Sequence, residues 1–197
     1  MRSRAVLIIV CFVAVMLLTW WQFGTGIHLW VMSLFFLAAA VHEFVVKRNE
    51  LGTWAVGAEA EELVGQRLGV LQKRGWHALH NLQKPDGGDI DHVTWGPRGV
   101  FVIETKGHRG KVGVESGVLT LDGVMPERDA VAQAYQNALF IKNHLTRRLG
   151  RSQWVVAVVC LTKAFLDGYQ LDIPRPQVHI VKIERLIEFL ENYDDTR

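Results

Sequence analysis

Asp91, Glu104 and Lys106 are poor choices for the interior of a β-hairpin and good ones for chemistry. They lie in the stretch GDIDHVTWGPRGVFVIETKGHRGK, Gly88 to Lys111. Two runs dense in β-branched and aromatic residues, Ile90 to Trp95 and Val100 to Thr105, flank Gly96-Pro97-Arg98-Gly99, a strong hairpin signal. With the turn centred between Pro97 and Arg98, Asp91 falls opposite Glu104 and Asp89 opposite Lys106. Alternation then puts Asp89, Asp91 and Val93 on one face with Val102, Glu104 and Lys106, and Ile90, His92, Phe101 and Ile103 on the other.

Directly opposed side chains hold their Cβ atoms roughly 4.5 to 5.5 Å apart, so this register stands two carboxylates side by side. Like charges so placed destabilise a sheet, and burial adds to the penalty. A divalent cation between them removes it. Mg²⁺ (or Mn²⁺) suits such a pair, because a hard ion is commonly held by one or two carboxylates, waters and a substrate phosphate. Lys106, on the same face, could orient or deprotonate a water nucleophile or neutralise charge on a phosphorane-like transition state. These are the parts of a phosphodiester hydrolase. The same residues also fit a second arrangement, strand ends exposed at a sheet rim with Lys106 balancing Glu104.

The elements around the hairpin follow from periodicity. From Gly57, the residues Ala60, Leu63, Val64, Leu68 and Leu71 form an apolar helical stripe that ends near Gly75. Glu61 sits roughly 80° from the centre of that stripe at about 100° per residue, on the shoulder of the buried face, where it could reach the sheet or snorkel to water. Strands are expected at Trp76 to Leu82, Ile90 to Trp95 and Val100 to Thr105, with a further hairpin over Lys111 to Leu121. A long helix over Glu127 to Leu149, a buried strand Trp154 to Leu161, a short strand Val178 to Val181 and a last helix Ile183 to Tyr193 complete the chain. The order αβββαβ predicts an α/β fold, a mixed sheet flanked by helices.

Ahead of this domain, placed at 51–197, residues 1–50 read as a transmembrane helical hairpin. Ala5 to Phe23 carries no charge, and about 18 such residues can span a bilayer. Ile27 to Val46 is the second candidate, and Gly24-Thr25-Gly26 reverses direction between them. Contact with the lipid bilayer is thus expected through residues 5–46. Arg2 and Arg4 before the first span, with Lys47 and Arg48 after the second, place both termini and the domain on the cytoplasmic side of a bacterial-type plasma membrane. Trp20, Trp21 and Trp30 would mark the opposite interface, and His42 and Glu43 would lie near the cytoplasmic end. Arg48 to Trp54 reads as a short tether.

The chain holds 22 Lys+Arg against 20 Asp+Glu, and setting aside the charges of residues 1–50 leaves residues 51–197 balanced. That excludes a strongly basic, non-specific phosphate binder, although Lys106 to Lys111 and Lys142 to Arg151 are locally basic. Cys11 and Cys160 lack neighbours at metal-ligand spacing, so disulfide, zinc and thiol-nucleophile chemistry have no support.

Four blocks in order resemble the nuclease-related domain (NERD), a branch of the PD-(D/E)xK restriction-endonuclease-like superfamily. They are GAEAEELV (Gly57 to Val64), DIDHV (Asp89 to Val93), GVFVIETKGHRGKV (Gly99 to Val112) and QAYQNA (Gln133 to Ala138). The resemblance implies a restriction-endonuclease-like sheet and cleavage of nucleic acid but not a substrate; the expected function is a Mg²⁺- or Mn²⁺-dependent nuclease whose partner is nucleic acid, with DNA the first hypothesis. It makes Glu61 the acid of the first helix, Asp91 the central metal ligand, Glu104 the second metal ligand and Lys106 the catalytic lysine. Gln133 matches a helix glutamine near the site. The Pro85-Asp86 pair is a decoy in this reading, since Asp86 would fall opposite Arg109, beyond the strand. Asp89 is left as a supporting residue, and His92 as a hydrogen-bonded interior imidazole. A module that binds nucleic acid or protein without turnover stands as the alternative function.

Overall fold

The computed structural model describes residues 25–194 except 86, 127, 169 and 175, together with residues 17 and 21. The chain forms two compact units, Met1–Thr53 and Trp54–Arg197. Helix α1 spans Thr25–Gly69 and is followed by a 3₁₀ turn, Val70–Arg74. Gly75 ends that turn in the left-handed region, at φ 78°, where a residue without Cβ is unstrained.

Strands β1 (His77–Gln83), β2 (Asp89–Gly96) and β3 (Gly99–Lys106) follow, then a small hairpin of β4 (Val112–Glu115) and β5 (Val118–Leu121). Helix α2 is Ala130–Leu149, and β6 is Val155–Leu161. Strands β7 (Gln170–Pro174) and β8 (Gln177–Lys182) lead into helix α3, Leu186–Asn192. The main sheet has the order β1-β2-β3-β6-β8-β7. Its β1–β2, β2–β3 and β7–β8 pairs are antiparallel, whereas β3–β6 and β6–β8 are parallel. The mixed α/β sheet expected from the element order is present.

Burial on both faces explains the composition of β6, where every residue of VVAVVCL is buried. Strands covered by helices on both sides read as continuous apolar runs, and each buried Val or Leu side chain of β6 contributes about 1.5–3 kcal/mol relative to exposure. One face packs Val102, Ala157 and Val159 against Val131, Ala134, Ala138 and Ile141 of α2. The other packs Phe101, Ile103, Val156 and Val158 against Val64 and Leu68 of α1 and Leu186 and Leu190 of α3. Helix α2 starts at Ala130, later than Glu127, because the Asp129 carboxylate caps it by accepting the amides of Val131 and Ala132 at 2.9 and 3.2 Å. Glu127 itself lies outside the described residues.

The membrane reading is overturned: among the described residues no helix is long and apolar enough to cross a membrane. The two transmembrane helices, the cytoplasmic orientation and the lipid contact through residues 5–46 lose their basis. Gly24-Thr25-Gly26 is not followed by a separate apolar helix, since α1 has begun by Thr25 and does not stop after Val46. Apolar residues within it are interrupted by His28, Ser33, His42 and Glu43, and the same helix takes in Lys47, Arg48 and Glu50. The expected tether Arg48 to Trp54 is likewise helical. Most of Ala5 to Phe23, with Arg2, Arg4 and Trp20, lies outside the described residues.

Smaller departures have local causes. Leu63, expected in the buried stripe of α1, is 38% exposed, whereas Ala60, Val64 and Leu68, with Leu71 of the 3₁₀ turn, are buried. Strand β7, not expected from the sequence, exists through its pairing with β8.

Candidate active site

The β2–β3 register is the one that the Gly-Pro-Arg-Gly turn dictates: Gly96 pairs with Gly99, Val93 with Val102 and His92 with Ile103. The ladder then stops one residue short of Asp91. In place of a further backbone pair, the Asp91 carboxylate accepts the amide of Thr105 at 2.6 Å, so the side chain takes over the role of a strand carbonyl. Asp91 and Glu104 are therefore adjacent without being a ladder pair, and Asp89, expected opposite Lys106, pairs with Gln83 of β1 instead.

Strand β2 also breaks its alternation here. Ile90 was expected on the face of His92, yet it is buried with Val93 and Val102. Between the pairs His80↔His92 and Leu82↔Ile90 sits Asn81 with φ 52°, a left-handed kink that turns the strand end.

Side chains converge on Glu104, which is 2% exposed. Lys106 donates to its Oε1 at 2.7 Å and also to Gln133 Oε1 at 3.3 Å. Asn137, one helical turn beyond Gln133 on α2, donates its Nδ2 to Glu104 Oε2 at 3.4 Å, and its own Oδ1 accepts Lys84 Nζ at 3.0 Å. Helix α2 thus presents Gln133 and Asn137 to the acid and lysine of β3, the i, i+4 geometry that places two residues on one face.

Electrostatics register the crowding. Burial pushes Glu104 up to about 7, with the charge of Asp91 next in importance, while the Lys106 ammonium pulls the other way. Asp91 is also raised, by burial first, against the lowering effect of the Thr105 amide and Lys106. Glu61 is raised by burial and then by the charges of Asp91 and Asp89, and lowered by Lys106. The structure therefore places Asp91, Glu104, Lys106 and Gln133 together, with Glu61 and Asp89 within electrostatic range.

Glu61 is brought there by a close approach at Gly107. A Cβ on Gly107 would lie 2.8 Å from the Val56 carbonyl oxygen and 2.9 Å from Ala60 Cβ, so the end of β3 and this part of α1 meet backbone to backbone. Gly107→Ala should push α1 away and lower stability by about 1–3 kcal/mol, the usual cost of overpacking. Urea unfolding measures it, and a midpoint equal to that of the native chain would refute the tight contact.

His92 lies on the other side of the strand, 2.8 Å from His80 through their Nδ1 atoms, and burial followed by the charge of His80 lowers it to about 4. It is an interior, neutral imidazole, as the alternation required. Asp86 lies outside the described residues, so the decoy reading of Pro85-Asp86 has no structural counterpart. Asn137 and Lys84 were not anticipated. The only signals were the four-residue spacing from Gln133 and the placement of Lys84 before a Pro-Asp-Gly-Gly turn.

As oxygen donors, Asp91 and Glu104 form the kind of pair that could hold a hard divalent ion, and their affinity for protons, raised by burial first, means that a bound cation would favour their ionised forms. Among the described residues no group of three or more His, Cys, Asp or Glu side chains forms a metal cluster, so protein ligation would come from this pair.

A mixed sheet with two facing acids, a lysine two residues on and an amide-bearing helix defines an α/β protein of the nuclease-related class. The chain belongs to the nuclease-related domain family, whose model matches residues 56–162, more than half of its length. It is also similar to an uncharacterized protein of Bacillus anthracis, 22% identical over 178 residues that make up 85% of this chain and 80% of that protein. No solved structure matches it.

Proposed function

We propose that the chain is a Mg²⁺- or Mn²⁺-dependent nuclease that hydrolyses DNA phosphodiester bonds with water as the nucleophile. The single observation that carries this reading is the buried Asp91–Glu104 pair, both raised above the ordinary carboxylate range by burial first and only partly held down by the adjacent Lys106 ammonium. Family membership supports a nucleic acid as the partner.

A divalent ion held by Asp91 and Glu104 would supply Lewis acidity toward a phosphoryl oxygen. The chain's own groups do the rest. The Thr105 amide fixes one oxygen of Asp91. Lys106, steadied between Glu104 and Gln133, presents a positive charge where negative charge develops on the phosphoryl group. Glu61, which burial biases toward its protonated form, can hold a proton near the scissile bond.

The test is turnover of plasmid and single-stranded DNA by the full chain with Mg²⁺ or Mn²⁺ added. An absence of cleavage under both ions would overturn the reading. One observation favours a binding module without turnover: Lys106 is already spent on an internal ion pair with Glu104 at 2.7 Å. Metal-independent DNA binding that is unchanged in Asp91→Ala would support that alternative.

A further inference from the structure

We infer that Lys84 is a positioning residue of the same site, acting through Asn137 to hold the Glu104 carboxylate in the orientation that accepts a divalent cation; this rests on reading Glu104 as a metal-holding acid. Asn137 is 1% exposed and lies between two charges. Its carbonyl oxygen accepts Lys84 Nζ at 3.0 Å and its amide nitrogen donates to Glu104 Oε2 at 3.4 Å. A lysine can only donate and an ionised carboxylate can only accept, so the pair of partners fixes which end of the amide faces which. Lys106 meanwhile donates to the other Glu104 oxygen. Both oxygens of the acid are therefore aimed by cations, one directly and one through an amide.

The turn before β2 aims Lys84. Its amide donates to the Gly88 carbonyl at 3.0 Å and the Gly87 amide donates back to the Lys84 carbonyl at 3.2 Å. Gly87 and Gly88 both have φ 85°, a conformation that glycine adopts without strain. The space beside Gly88 is filled by the Lys84 stem, whose Cε would lie 3.7 Å from a Cβ at that position. Without Lys84, the Asn137 carbonyl would be a buried acceptor lacking its donor, which costs enough to favour another rotamer and to release Glu104 Oε2.

The sign of the effect separates positioning from simple charge. Removing a lysine near a cation site should tighten Mn²⁺ binding if charge alone mattered, whereas loss of an outer-shell partner weakens it, typically by 10- to 100-fold. Calorimetric titration of the full chain with Mn²⁺ should therefore show Lys84→Met binding about 10-fold more weakly. Lys84→Arg should restore most of the loss, and Asn137→Leu should show a similar loss to which Lys84→Met adds little, as coupled neighbours do. Unchanged or tighter Mn²⁺ binding by Lys84→Met overturns the proposal.

Should the native chain take up no Mn²⁺, the metal reading fails by itself, and the Asn137 side-chain amide signals in ¹⁵N NMR decide the relay. Faster exchange of those protons in Lys84→Met, reversed in Lys84→Arg, sustains it. Signals identical in all three proteins refute it.

Discussion

Replacing Glu104 by Gln or Lys106 by Met should reduce divalent-ion-dependent DNA cleavage by about 10²- to 10³-fold, the usual consequence of deleting one preorganised electrostatic contact to a transition state. The two losses have different origins. Glu104→Gln keeps the shape, and its one amide oxygen can still accept from Lys106 or from Asn137, which in the native chain donate to different carboxylate oxygens, but it removes one of the two charges that draw the ion. Lys106→Met keeps both acids and removes the ammonium, which lies 2.7 Å from Glu104. Glu104→Gln should consequently weaken Mn²⁺ binding, whereas Lys106→Met should leave it intact or strengthen it while turnover falls. Cleavage assays run beside calorimetry read both. Activity that persists in both variants would remove the site assignment, and circular dichroism guards against mistaking misfolding for chemistry.

How far the sequence carried toward this site depends on the range of the contacts involved. The β2–β3 hairpin is short-range: a four-residue Gly-Pro-Arg-Gly turn sets the register, and register sets which side chains share a face. Asp91, Glu104 and Lys106 were therefore legible residue by residue. What the register could not reveal is that β2 leaves β3 at His92, because that depends on the Asp91 carboxylate capturing the Thr105 amide and on the kink at Asn81 in a neighbouring strand. Asn137 and Lys84 were illegible for a similar reason. Their meeting joins a β1–β2 turn to a helix 53 positions away, and no local period encodes it.

Helix α1 shows the converse limit. Hydropathy measures how apolar a run is and says little about where a helix ends. Ile27 to Val46 passed for a separate span, yet the helix has its bounds at Thr25 and Gly69. Its C-terminal portion is legible in the spacing of Val64, Leu68 and Leu71, while the close approach of Gly107 to Ala60 that places Glu61 is a tertiary fact.

The crowded acids should also make the metal-free protein lose stability as pH rises from about 4.5 to about 7, the opposite of what ordinary paired carboxylates do. In the folded chain Glu104 holds its proton up to about 7, whereas its ordinary value is 4.5. Between those values the folded state binds more protons than the unfolded state, so the slope of stability against pH is negative. The contribution is fully present below pH 4.5 and gone above 7. At 1.36 kcal/mol per pH unit the interval is worth up to about 3 kcal/mol, shared with Asp91 because protonating one acid relieves the other. Other carboxylates titrate over the same range, so the measurement is the difference between the native chain and Glu104→Gln in urea unfolding at a series of pH values. The variant should be close to the native chain at pH 4.5 and more stable above pH 7. Mn²⁺ should erase the difference, because it binds the doubly ionised pair and stabilises the folded state by mass action. Parallel curves for the two proteins from pH 4.5 to 8 would mean that burial and the neighbouring Asp91 charge do not hold a proton on Glu104, and the case for a cation at this pair would fall with it.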